Sequence, residues 1–491
     1  MRTRKEMPTK NNNIFLNITI ILILLAAAGP SFAQLDPKAL PEPAPLKFNP
    51  PKPVEFTLPN GIRVLYLEDR ELPLINILGF LKCGSLYEPG EKTGLAGLTG
   101  TVLRTGGTKK MSGDDINEEL EFLAATVESS IGTEFAQIMA QCLKKDLKRV
   151  LEIYADIAMN PEFRQDRIDL AKNQAVESIR RRWDMPIQAA SALFQERAYG
   201  AGHPLGRRTT PKSLAAVVRQ DLVDFHKKYF APNNMLMGVS GDLSASEAKS
   251  LLQSVFGAWK KKDVRFPAVP ALAENADGTV YYAYKDTPQG NMFLGHLGSR
   301  RLSPDEPALE IMNYVFGGGT FSARLMKELR SNRGLTYGIY GGVESGPDRG
   351  LFMISSQLKA ERFVEALDLV KGIIVDLQTK PVSDGELAEA KNSTINSFAF
   401  RFEQKRTALI QYINLKLEGY PSNYLEIYID NIRKITKADV QAVAKKYMDP
   451  AKMIVLVVGD EKKFDKPLSS FGKVRPIDLK AIIEEEKGAQ K

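Results

Sequence analysis

Short apolar runs of strand length recur early in the chain: IRVLYLE at 62–68, LINILGFLKC at 74–83, AATVESSI at 124–131 and FAQIMAQCL at 135–143. Each reads as a β-strand, and several lie close enough in sequence to pair antiparallel. A different period follows in DLKRVLEIYADIAMN, residues 146–160, where apolar positions recur every three to four residues and predict a helix. The same helical spacing appears in TGLAGLTGTVLRTGGT, residues 93–108. Leu95, Leu98, Val102 and Leu103 form its apolar stripe, while Gly97, Gly100 and Thr101 share another face. Each interior glycine costs a helix about 1 kcal/mol against alanine, so a face nearly bare of side chains needs a reason.

A duplication organises these elements. Residues 213–242 align without gaps on residues 431–460 at an offset of 218, with nine of thirty positions identical, among them Lys227/Lys445, Tyr229/Tyr447, Pro232/Pro450 and Gly241/Gly459. Each copy reads as helix, Pro turn and apolar strand ending in Gly-Asp. Two homologous domains follow, at 54–262 and 278–480, joined by the polar, Pro-containing segment 263–277 and trailed by a charged tail at 481–491. Strands and helices mix without βαβ alternation, which predicts α+β domains: a mostly antiparallel sheet with helices on one face.

Bulk properties narrow the class. At 491 residues the chain exceeds one core. Its formal charge is +8, of which +3 sits in the first 33 residues. The basic clusters at 180–182 and 260–262 are short, lack aromatics between them, and read as solvated helix faces and loops, so nucleic acid is excluded as a partner. A basic start, the apolar run IFLNITIILILLAAA at 14–28 and small residues Ser31 and Ala33 describe a secretory signal over 1–33, cleaved after Ala33. Periplasmic or secreted location is expected, with membrane contact only if that segment is retained as an anchor. Residues 34–53 form a Pro-rich arm. Cys83 and Cys142 are either a bridge or two buried thiols.

Five segments in order then carry a family resemblance: LPNGIRVLY, GSLYEPGEKTGLA, YGAGHPLGRRTTPKSL, YFAPNNMLMGVSGDL and GGGTFSARLMKELRSNRGLTYG. The chain resembles the pitrilysin and mitochondrial-processing-peptidase family of inverted zincins from Val54 onward. The resemblance implies two α+β domains facing each other around a cavity. Active members carry H-x-x-E-H after the GLA, where two histidines hold zinc and the glutamate is the general base. Here those positions read Gly97, Leu98, Thr99, Gly100 and Thr101. A further glutamate ligand on a later helix falls at Ser178, with Glu177 beside it and turned about 100° away.

No other site replaces the lost one. His203, His226 and His296 lack ligand spacing and read as structural. FGGGTF at 316–321 is not a phosphate loop; it reads as the stop of a helix opened by Ser303 and Glu306 in capping-box spacing. One family feature survives. Arg330 and Tyr337, seven residues apart, match the pair that holds substrate backbone across the cavity from zinc. The resemblance therefore implies a non-catalytic subunit without metal or cofactor of its own, paired with a homologue that has an intact H-x-x-E-H and carries the zinc, and acting with it on peptide substrates. The alternative is a scaffold subunit with no part in proteolysis.

Overall fold

Two six-stranded mixed sheets carry the chain. The computed structural model describes residues 48–274, 278–319 and 321–488; the signal at 1–33 and most of the Pro-rich arm lie outside the described residues. In the first half the strands are β1 (Val54–Thr57), β2 (Arg63–Glu68), β3 (Leu74–Lys82), β4 (Thr126–Ile131), β5 (Phe135–Leu143) and β6 (Met235–Gly241). They lie in the order β1-β2-β6-β3-β5-β4, with only β2 and β6 parallel. The second half has β7 (Val280–Tyr284), β8 (Gln289–Leu297), β9 (Ser299–Arg300), β10 (Thr336–Val343), β11 (Ser345–Gly346), β12 (Leu351–Lys359), β13 (Ile454–Gly459) and β14 (Val474–Ile477). Its sheet runs β10-β12-β8-β13-β7-β14, and β9 pairs with β11 outside it.

Five strands of one sheet map onto five of the other in the same spatial order. The sixth does not. β1 precedes β2 and runs antiparallel to it, whereas β14 comes from the C-terminal end and runs parallel to β7.

β6 and β13 are buried along their whole length. Helices of the same half cover one face of each sheet; a helix from the other half covers part of the second. The Lys405–Glu418 helix lies on β2 and β6, and the Pro186–Tyr199 helix lies on β8 and β13. Gly238 in β6 is where the first of these approaches: a Cβ there would stand 2.5 Å from Ile413 Cδ1 and 3.0 Å from Leu409 Cδ2. In the reciprocal contact Leu193 and Phe194 join Phe293, Leu456 and Val458 in one buried cluster, each large side chain contributing about 1.5–3 kcal/mol. Pro186 sets this geometry. It follows Met185 in an extended conformation, ends the Gln165–Asp184 helix and opens the next at a new angle.

Two expectations need amending, and the open question of the cysteines is decided. The segment read as a charged tail from residue 481 belongs largely to a helix, Leu479–Gly488. Its buried Glu486 accepts hydrogen bonds from Trp183 Nε1 (2.6 Å) and Arg208 Nη1 (2.8 Å). Ser303 and Glu306 form no capping box. Asp305 is the N-cap of the Glu306–Asn313 helix, the Glu306 carboxylate accepts from Leu302 N, and the helix widens into a π turn at Tyr314–Gly318. Cys83 and Cys142 are both free and buried, and burial pushes both thiols up to about 12. Cys142 stands opposite Ile75 in the β3–β5 register. Eight residues of strand, about 26 Å, therefore separate it from Cys83, far beyond the ~7 Å that a disulfide spans. No helix among the described residues is long and apolar enough to cross a membrane.

Candidate functional site

The glycine-bearing stretch forms an α-helix, Leu95–Thr105. Its first turn is held by a side chain from outside it. The Glu88 carboxylate accepts from Gly94 N (2.9 Å) and Ala96 N (2.8 Å), which satisfies two orphan donors and places negative charge at the positive helix end. Burial pushes the Glu88 carboxyl above its ordinary range, and those two backbone N–H groups oppose the shift. Gly94 turns into the helix at φ 105°, a conformation that favours glycine.

Gly97 and Gly100 then part company. Gly97 is exposed, and a Cβ on it would meet nothing within 4 Å. Gly100 is buried against β4, where a Cβ would stand 2.4 Å from Ile131 N and 2.8 Å from Ser130 C. The Ser129 hydroxyl donates to Gly100 O at 2.7 Å and ties strand to helix. Thr101 is exposed, and its hydroxyl bonds back to Gly97 O at 3.1 Å. Ser178 is exposed on the Gln165–Asp184 helix, which packs on this one. Beside it, Glu177 is ion-paired with Arg180.

These positions do not fit zinc. Gly97, Gly100, Thr101 and Ser178 offer two hydroxyls and no imidazole, thiolate or carboxylate. Among the described residues no group of three or more His, Cys, Asp or Glu could hold a metal ion.

Arg330 and Tyr337 are brought together. Arg330 lies in a π-helical segment, Met326–Asn332, and Tyr337 is the second residue of β10. Gly334, at φ 62°, makes the reversal between them, and Leu335 N bonds back to Leu329 O at 2.8 Å. The guanidinium sits 4.6 Å from the ring centroid of Tyr337 and 4.6 Å from that of Phe321, a double cation–π stack. Tyr337 is 85% exposed and Phe321 60% exposed. Arg333, three residues on, is instead paired with Glu328 and Glu365.

Comparison with known proteins decides the family. Residues 64–210 match the Insulinase (Peptidase family M16) profile, and residues 216–394 match the profile described as Peptidase M16 inactive domain. The chain belongs to peptidase family M16. A solved M16 inactive domain from Pseudomonas fluorescens superposes on this M16 chain with a TM-score of 0.78 at 27% identity, covering 85% of it and 99% of the other. The non-peptidase homolog YmxG of Helicobacter pylori is 25% identical over 410 residues, 82% of this chain and 93% of its own. An uncharacterized zinc protease of Mycobacterium leprae is 23% identical over 401 residues, 80% of this chain and 88% of its own. The periplasmic protease PqqL of Escherichia coli shares the fold at a TM-score of 0.72 and 14% identity, over 92% of this chain and 52% of PqqL.

The histidines of the M16 chain serve its interior. His203 Nδ1 accepts from Leu205 N while Nε2 faces Pro270 O at 3.0 Å; His296 Nε2 accepts from Asp449 N while Nδ1 faces Leu297 O at 2.9 Å. Each ring thus spends both nitrogens on backbone groups, and burial holds the His296 imidazole below its ordinary range. His226 lies between Phe163 and Phe230 with Nε2 2.9 Å from Ala158 O. Burial brings its pKa down from 6.5 to about 4; the Ala158 carbonyl opposes this and Lys262 adds to it. The folded state thus resists a proton that the unfolded chain accepts below pH 6.5. This contribution is intact above pH 6.5 and is lost as pH falls towards 4, amounting to about 3 kcal/mol. Urea unfolding at pH 7 and pH 4 measures it. His226→Gln should flatten that part of the pH dependence, and an unchanged slope in the variant would refute the assignment.

The sequence pattern did not single out Glu88, Phe321 or Arg182. Glu88 was visible only inside the GSLYEPGEK segment. Phe321 was visible only inside the FGGGTF segment, with nothing to tie it to a guanidinium nine residues away across an irregular turn. In the basic run 180–182, read as a solvated face, Arg180 and Arg181 are exposed but Arg182 is half-buried.

Proposed function

We propose that this chain is the non-catalytic subunit of an exported zinc endopeptidase, lending Arg330 and Tyr337 to the zinc site of a homologous partner that carries the intact motif. The Arg330 stack supports this reading most. Two rings fix the guanidinium in place, while none of its N–H groups finds a hydrogen-bond or ion-pair partner among the described residues. A donor set that is positioned and unspent suits a substrate carbonyl or a developing oxyanion. The absence of ligand-type residues at the four former metal positions supports the division of labour. The scaffold reading has one observation in its favour: the same double stack is a stable surface arrangement without any substrate.

The test mixes two purified chains, this one taken from the periplasmic fraction and expected to begin at Gln34. Neither metal analysis nor a fluorogenic peptide should register with this chain alone. Chelator-sensitive cleavage should rise when a homologue with an intact H-x-x-E-H is added. One tightly held zinc per isolated chain, with cleavage, would sink the proposal.

A further inference from the structure

An open cleft of about 360 Å³ lies between the polar face of the Pro186–Tyr199 helix and the loop that follows it. That helix contributes Gln188, Ser191 and Gln195; Arg182, Arg207 and Thr209 complete the polar wall. The spacing 188, 191, 195 is one helical face, opposite the one buried on the second sheet. None of these three side chains has a hydrogen-bond partner among the described residues.

Three guanidiniums face the cleft, and they are not equivalent. Arg208 is neutralised by Glu196 and Glu486. Arg207 donates to carbonyl oxygens, Gly202 O at 3.2 Å and Glu88 O at 3.4 Å, and its charge also acts on the Glu88 carboxylate. Arg182 meets Thr209 O at 3.4 Å and has no ion pair among the described residues. Burial holds its guanidinium below the usual range, with Glu486 acting against that and Arg208 with it. Arg182 also lies four residues beyond Ser178 on one helix. The two share a face about 6 Å apart, so the cleft borders the former metal face.

We propose that this cleft captures the C-terminal carboxylate of a peptide, with Arg182 as the charged anchor and Gln188, Ser191 and Gln195 as partners for the peptide backbone. Arg182 and Arg207 supply charge that no ion pair among the described residues matches, and Gln188, Ser191 and Gln195 add neutral donors and acceptors beside it. This arrangement fits a chain terminus better than a small symmetric anion. The volume is at the small end of ligand sites, enough for a short terminal segment. A planar carboxylate also matches the fork of a guanidinium.

The inference deepens the substrate-holding role above, but its test needs neither partner nor turnover. A null result would leave that role standing, and loss of that role would leave the titration readable. The mature chain is titrated by calorimetry with N-acetyl-trialanine, with its C-terminal amide, and with acetate and inorganic phosphate. The free acid should bind at least tenfold more tightly than the amide. Arg182→Gln should remove that preference and leave the amide unchanged, Arg182→Lys should retain part of it, and Ser191→Leu should block the cleft. Thermal melting checks that each variant folds. Should Arg182→Gln fail to fold, the acid–amide contrast in the unaltered chain and Ser191→Leu still decide. Equal binding of acid and amide, or an unchanged preference in Arg182→Gln, overturns the proposal. So does acetate or phosphate binding as tightly as the tripeptide, which would mark a simple anion site.

Discussion

In the heterodimer proposed above, Arg330→Ala should slow turnover by about 10² to 10³ in kcat, equivalent to roughly 3–4 kcal/mol of transition-state stabilisation. The guanidinium is held at 4.6 Å from two rings and gives none of its donors to another described side chain. Its removal therefore breaks no ion pair, and size-exclusion chromatography should show the complex intact. Tyr337→Phe keeps the ring under the cation and removes only the hydroxyl, so its effect should be smaller and confined to turnover or substrate affinity. Phe321→Ala removes one wall of the stack and should raise KM or lower kcat through misplacement of Arg330. Steady-state kinetics on a fluorogenic peptide separates these cases. Wild-type rates in both Arg330→Ala and Tyr337→Phe, with the complex intact, would make the pair a surface feature and favour the scaffold reading. Dissociation of the complex by Arg330→Ala would assign the arginine to the interface.

One substitution at two neighbouring glycines should have opposite signs. Gly97→Ala should leave stability unchanged or raise it by up to about 1 kcal/mol, since the site is open and alanine favours helix. Gly100→Ala should cost about 1–3 kcal/mol or more, because its methyl would stand 2.4 Å from a backbone nitrogen of β4 and no rotamer relieves that contact. Thermal melting of the two variants measures the contrast, and equal shifts would refute it. The consequence for chemistry is steric. Rewriting Gly97, Gly100 and Thr101 as His, Glu and His, with Glu at 178, should not recreate a zinc peptidase. The base position is filled by the strand behind the helix, and a glutamate there forces helix and strand apart. Metal analysis of the rewritten chain tests this directly.

Much of this was legible along the chain. Residues 135–143 were read as a strand and β5 spans the same residues. The helix read at 146–160 forms at Leu147–Met159, and the matched ends of the two halves become β6 and β13. The absence of ligand-type side chains at Gly97, Gly100, Thr101 and Ser178 needs no coordinates, because side-chain chemistry is set by residue identity. Periodicity likewise tells which face of a helix is apolar, since that depends only on neighbours three and four residues away.

What lies against that face is a different matter, and only the tertiary structure decided it. Nothing near Gly238 announces that Ile413, 175 residues later, fills the space its missing side chain leaves. Gly97 and Gly100 look alike in sequence, yet one faces open space and the other a strand backbone. Arg182 reads as one more basic residue in a run, and Glu486 as part of a charged tail. One becomes a cation in a cleft with no ion pair among the described residues; the other becomes the buried acceptor for Trp183. The common reason is range. Local pattern is written by covalent neighbours, whereas burial, close approach and charge pairing are set by segments distant in the chain that meet only in the folded structure.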